Sequence, residues 1–389
     1  MEVNVVQILA AMNHTTINVS RYCAVVAALI IYTFSCYYTS TAQTNPNFNV
    51  QLRMDYAAAE RSVALYQDEY INTRSLAELR GNRVAAATTA TIDNEQTQLN
   101  ELARYFDSLW YHQIIQNDIY HLESSRKNVA AIHELLQEMQ RRNFSMRVAA
   151  TVEQIFPSDA AIDVSIPVYV VALGHENVDA YVRRIIWHDN IPQFTGENTG
   201  ELTIIINLAH AANYGPSVAS RYESILNIVA HEVFHAAFSA YKEHSSSWQS
   251  FYKHHREPID ALLDLTQNEG IAYYLSFEKR GNVPPERNSI IADAFTRFNN
   301  NATELLSEAL TSNRANELLR KANLSGASDN YGAIAGMIMA QQIDMHLGRA
   351  ALIQTLSTDP YDFINKYSDV ACFDDLLPKI AKKILEKIK

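Results

Sequence analysis

An α+β fold, mostly helical, with a small β-sheet ahead of one long helix, is what this sequence predicts, and three observations carry the prediction. Apolar residues recur at helical spacing over most of the chain. β-Branched runs are confined to a middle section, at Ile166–Leu173 and Leu202–Leu208. The stretch from Ile225 to Phe238 is largely apolar and free of Pro and Gly, so it extends as one continuous buried helix.

The 389 residues are 48% hydrophobic and 19% charged, enough to bury a sizeable core. With only 11 Gly and 10 Pro, long low-complexity segments are not expected. A net charge of −11 removes the basic footprint that nucleic-acid binding needs.

The first segment reads as a leader. Arg21 precedes an apolar run from Cys23 to Tyr38, and Ser40-Thr41-Ala42 places small residues at −3 and −1 of a cleavage site after Ala42. The run is short for a membrane span, which takes about 20 apolar residues. Residues 1–42 are therefore expected to be a signal peptide, with an uncleaved membrane anchor, or lipidation at Cys36, as alternatives. Cleavage leaves Cys372 as the sole cysteine and excludes an internal disulfide. That suits an exported bacterial protein, whether periplasmic, secreted or envelope-anchored.

Residues 43–50 read as a linker, and helical spacing begins at Gln51 with Met54, Ala58, Val63, Leu65 and Tyr66. A second helical region is expected over 96–142, so residues 43–150 form a helical N-terminal region and 151–389 a second domain. Between the two clear strands, Tyr181–Trp187 fits either a strand or a short helix, and Asn190–Gly200 reads as a loop. After Ala219 the chain reads as helices. Its last stretch, Leu377–Lys389, is Lys-rich and amphipathic, a closing helix or a membrane-surface one.

Residues 231–235 read His-Glu-Val-Phe-His inside the long apolar helix. Residues four apart share a helix face at a rise of about 6 Å, so His231 and His235 can offer imidazoles to one metal ion. Glu232 is offset from that pair and can reach a water on the metal. Catalytic zinc takes three protein ligands and leaves a position open. Thirty-three residues after His235, Asn268-Glu269-Gly270-Ile271-Ala272 lies in a second apolar helical stretch, and Glu269 is the candidate third ligand. A pair of satisfied core histidines is the plain alternative, and a structural zinc site lacks nearby Cys ligands.

His231-Glu232-Val233-Phe234-His235 followed by Asn268-Glu269-Gly270-Ile271-Ala272 resembles the aminopeptidase-N type of gluzincin metallopeptidase, in which an Asn-Glu-Gly-x-Ala run supplies the third ligand. The resemblance implies a zincin-like catalytic domain, zinc at His231, His235 and Glu269, and Glu232 as general base. The gap between second His and Glu is longer here, and the Gly-Ala-Met-Glu-Asn motif of that family has no counterpart, so binding of a free amino terminus is not implied. From near Asp55 to its end the chain is more closely similar to a bacterial family of exported zinc-dependent peptidases of otherwise unknown function. That similarity includes Tyr331-Gly332, Gly336–Ala340, Ile343-Asp344, Gly348 and Asp359–Tyr367.

Gluzincins often stabilise the oxyanion with a Tyr or His. Tyr331 resembles the aminopeptidase tyrosine in its place before a Gly-rich helix start, and His210, His244, His254 and His255 are further candidates. By analogy, the strand before the zinc helix, Leu202–Leu208, is expected to bind the substrate by strand addition. The expected activity is hydrolysis of a peptide or protein substrate. A zinc hydrolase of a non-peptide amide or ester, and a non-catalytic envelope protein, are the alternatives.

Overall fold

Val50 and Leu52 are buried while Asn49, Gln51 and Arg53 are exposed, a period of two that makes Phe48–Asp55 a strand, β1. The expected linker and helix start over 43–55 are thus replaced by a strand. In the computed structural model, residues 45–92, 101–173, 180–195, 199–277, 287–323 and 330–389 are described. The leader expected over 1–42 lies outside them.

Helices α1 (Ala57–Tyr66) and α2 (Arg80–Ile92) follow β1. The region expected to be helical over 96–142 includes helices Leu102–Trp110 and Leu122–Lys127 and α3 (Val129–Arg141). Between the first two, His112, Asn117 and His121 take positive φ, which ends one helix and turns the chain before the next. After α4 (Phe144–Glu153) come β2 (Ile162–Val171), β3 (Ala180–His188), β4 (Ile191–Phe194) and β5 (Glu201–Asn207). Tyr181–Trp187 is therefore a strand, and part of the expected Asn190–Gly200 loop is one too. Asp189 and Asn190 at φ 47° and 64° form the two-residue turn that joins β3 to β4.

The five strands lie in the order β1-β2-β5-β3-β4. β1, β2 and β5 are parallel, while β3 runs antiparallel to both β5 and β4. Central β5 is buried from Thr203 to Asn207, as a strand covered on both faces must be. Register assigns the faces. Tyr169 and Val171 lie against Gly81 of α2. Their neighbours Val168 and Val170 point to the opposite face with Ile204 and Ile206, and the β3–β5 register adds Val182 and Arg184 to it.

The long helix α5 (Val218–His244) packs on β2, β3 and β5. Ser217 caps it through the Ser220 amide, and the Ser220 hydroxyl returns a bond to the Ser217 amide. Phe234 and Phe238 hold it down: their rings lie 5.6 and 6.3 Å from Phe156, which also meets Phe48 of β1 at 5.6 Å. Beyond α5 the fold is helical: α6 (Ser246–His254), α7 (Pro258–Phe277), α8 (Arg287–Leu305), α9 (Ser312–Ala322), α10 (Tyr331–Leu347), then Arg349–Ser357, Pro360–Phe373 and Lys382–Lys387. Ile380, Ile384 and Ile388 are buried, so the C-terminal stretch packs on the domain as a closing helix. Asn47–Lys389 form one compact unit, an α+β fold that is mostly helical with its small sheet ahead of the helices.

Two glycines set the depth of α7. A Cβ at Gly270 would sit 2.3 Å from the Gly336 carbonyl carbon, and one at Gly336 would sit 2.0 Å from the Thr266 carbonyl oxygen. Both obstacles are backbone, so neither can swing aside. Gly336→Ala is expected to cost about 3 kcal/mol of stability, the upper range for overpacking, read as a lower thermal midpoint. Gly348→Ala, where nothing lies within 4 Å of an added Cβ, is expected to cost about 1 kcal/mol from its positive φ alone.

Candidate metal centre

His231 and His235 lie one turn apart on the partly open stripe of α5, with their Nε2 atoms 3.1 Å from each other. Glu269 reaches them from α7, its Oε2 3.7 Å from His231 Nε2 and 3.5 Å from His235 Nε2. A circle through these three atoms has a radius of about 2.0 Å, so one point lies at zinc-ligand distance from all of them. The edges also approach the ~3.3 Å that tetrahedral geometry gives for bonds of that length. Two imidazoles and one carboxylate are a donor set of catalytic zinc sites, which keep a fourth position for water. Among the described residues this is the one group of three His, Cys, Asp or Glu side chains close enough to hold a metal.

The trio is oriented by neighbouring side chains. His235 Nδ1 donates to Asn268 Oδ1 at 3.0 Å, which leaves the Nε2 lone pair facing the trio. Asn323 lines the cleft beside Glu269 and acts to lower its carboxyl pKa. The Tyr273 ring stands edge-on to His231 at 4.7 Å, and Asn330 Nδ2 donates to its hydroxyl oxygen at 3.1 Å. Tyr273 lies four residues after Glu269, so the same face of α7 carries the ligand and the phenol.

The electrostatics follow from burial opposed by pairing. Burial lowers the pKa of His235, but its bond to Glu269, the charges of Glu269 and Glu232, and the bond to Asn268 outweigh burial and raise it. Burial raises the Glu269 carboxyl, and the bond and charge of His235, the charge of His231 and the nearby Asn323 bring it below the ordinary value. Glu269 is therefore a carboxylate at neutral pH. Glu232, half-buried between the histidines, is close enough to act on His235 through its charge.

A cleft of about 660 Å³ opens beside Glu269 and Asn268. One wall is helical, with Lys242, Tyr252, His255, Arg256, Asp260 and Asp264, while Arg184 enters from β3. Lys242 is buried against the rings of Phe238 and Trp248, 4.2 Å from each, and pairs with Asp264. Tyr252 donates to the other Asp264 oxygen at 2.7 Å. Tyr361 donates to Asp260 at 2.6 Å and its oxygen lies 3.0 Å from His255 Nδ1.

The structure thus brings His231, His235 and Glu269 together, with Glu232 alongside. Tyr331 is placed differently from the sequence expectation. It is 2% exposed, and its hydroxyl donates to the Leu318 carbonyl at 2.9 Å. Burial pushes its pKa up to about 12. His244 and His254 donate from Nδ1 to carbonyls one turn back on their own helices, Ala240 and Ser250. His210 packs against Tyr214, and His255 lines the cleft. Sequence reasoning missed Asn268, Asn323 and Tyr273. Asn268 and Tyr273 had a legible signal, adjacency to Glu269 and a spacing of four from it. Asn323 comes from another helix end and had none.

Zinc must displace protons from the histidines, and the raised pKa of His235 makes that competition begin above the ordinary imidazole range. In chelator competition across pH, zinc affinity is expected to be highest above neutrality and to fall as pH drops. Asn268→Ala is expected to weaken it by roughly 10–100-fold with the far-UV circular dichroism unchanged.

A family model described as "Putative zinc dependent peptidase" (DUF5700) matches residues 61–375. No curated protein and no solved structure matches the chain. The match spans most of the sequence and contains the whole metal trio, and so the chain belongs to the family that carries this description.

Proposed function

We propose that the chain hydrolyses peptide bonds in the manner of a gluzincin, with zinc held by His231, His235 and Glu269 and with Glu232 as general base. The observation that carries this reading is the triangle of two Nε2 atoms and one Oε2 around a single zinc-sized point. When bound, zinc supplies Lewis acidity and brings the pKa of a water towards 7. The Glu232 carboxylate would be the base that accepts a proton from the attacking water and passes it to the leaving amine. Asn268 keeps the His235 ring in the ligating tautomer throughout. The phenol that faces the reacting carbonyl is assigned to Tyr273, which lies against His231 with its hydroxyl oxygen already fixed by Asn330. The expected export of the chain places this activity outside the bacterial cytoplasm.

Strand addition to β5 is closed, because β2 and β3 pair with its two edges. Among the described residues, the unpaired edges of the sheet belong to β1 and β4. β4 is the one joined to β3, whose Arg184 lines the cleft. The hairpin register turns Pro192 and Phe194 outward along that edge. Pro192 lacks an N–H, so a substrate strand pairs with β4 through the N–H and C=O of Phe194 and the C=O of Pro192.

Glu232→Gln is expected to keep zinc and to lower kcat for peptide cleavage by roughly 10²–10⁴-fold. Tyr273→Phe is expected to lower kcat by about tenfold or more with little change in KM, while Tyr331→Phe acts on thermal stability and leaves kcat near wild type. Steady-state kinetics on a peptide library, with zinc content measured in parallel, checks all three. Peptide cleavage at the wild-type rate by Glu232→Gln contradicts the assignment of the base.

A further inference from the structure

Arg184 is a half-buried guanidinium on the face of the sheet that covers α5. It lines the same cleft as Glu269 and Asn268. Among the described residues it makes one long side-chain hydrogen bond, from Nη1 to the Gly200 carbonyl at 3.5 Å, and pairs with no carboxylate. A guanidinium carries five N–H donors in a planar fork that fits a carboxylate. No described residue takes the other four.

The other charges of the cleft are assigned. Lys242 is spent on Asp264, Glu257 receives Lys387, and Asp260 is held by the Tyr361 hydroxyl and the Glu257 amide. The zinc that the trio fits would offset Glu269 and Glu232. Arg256, in the turn between α6 and α7, bonds the Tyr252 carbonyl, and no described residue takes the rest of its fork. The cleft therefore presents two guanidinium groups, one from the sheet and one from that turn, against the single buried charge of Asp260.

We propose that Arg184 is a specificity-determining residue that receives a substrate carboxylate, either an acidic side chain or a peptide C-terminus, in the cleft beside the metal trio. The proposal rests on the peptidase reading. Arg256 adds positive potential from the turn between α6 and α7, which favours entry of an acidic peptide.

The test uses the full-length, zinc-loaded protein and hexapeptides that are acetylated at the N-terminus. One pair carries Glu or Gln at each position in turn with an amidated end, and a second pair differs only in a free or amidated C-terminus. Binding is measured by calorimetry on Glu232→Gln protein, and cleavage on protein with Glu232 intact, each with and without Arg184→Gln. The carboxylate form of one pair is expected to bind and turn over about tenfold better, the worth of a charge-assisted hydrogen bond. The pair that responds identifies the source of the carboxylate. Arg184→Gln is expected to bring that ratio close to one, and Arg184→Lys to leave an intermediate ratio, because charge is kept and the fork is lost.

A ratio near one with Arg184 present, or one that persists in Arg184→Gln, overturns the proposal. Cleavage of none of the peptides, together with an Arg184-dependent binding ratio, removes the peptidase reading and keeps the carboxylate site. Zinc content and circular dichroism of each variant report its fold.

Discussion

Helix α7 lies close against α10 because both are stripped to glycine where they cross, and the metal centre depends on that contact. Gly270 and Gly336 meet backbone to backbone at a distance that admits no Cβ on either side. Glu269 is the residue next to Gly270, so the same contact fixes how far its carboxylate projects towards α5. The Asn-Glu-Gly run thus joins three tasks in consecutive residues. Asn268 orients a ligand, Glu269 is placed to be one, and Gly270 sets the position of both.

α5 supplies the other half of the site under a complementary constraint. Its buried stripe, with Val229, Val233, Phe234 and Phe238, is pinned to the sheet and to Phe156. That leaves His231, Glu232 and His235 on the partly open stripe facing α7. The imidazole of His235 is raised by Glu269 and the carboxyl of Glu269 is lowered by His235, so each partner favours the charged form of the other against the cost of burial. A divalent ion bound at the trio would take the place of the proton that this pairing favours on His235.

Much of this was legible in the sequence. The His-Glu-x-x-His run announces itself by a spacing of four in an apolar helix, and the β-branched runs gave β2 and β5. The strand β1 was not seen, because Met54, Ala58, Val63, Leu65 and Tyr66 keep helical spacing across the junction and hide the period of two in Val50 and Leu52. β4 was read as loop because it is four residues long, contains Pro192 and is set off by the turn-forming Asp189 and Asn190. The phenol near the trio was sought at Tyr331 on a likeness of position alone. The carbonyl of Leu318 that receives its hydroxyl lies on α9, a contact between separate helices that no local pattern encodes. The expected leader bears on where the protein acts, and the catalytic geometry is independent of it.

The most direct test of the central claim is the zinc-to-protein ratio of the purified full-length chain, measured by elemental analysis beside the Glu269→Ala variant. One zinc per chain in the first, and loss of most of it in the second with the fold intact, is the predicted result. A wild-type chain that takes up no zinc when zinc is offered, or a Glu269→Ala chain that keeps its full complement, contradicts a centre built from His231, His235 and Glu269.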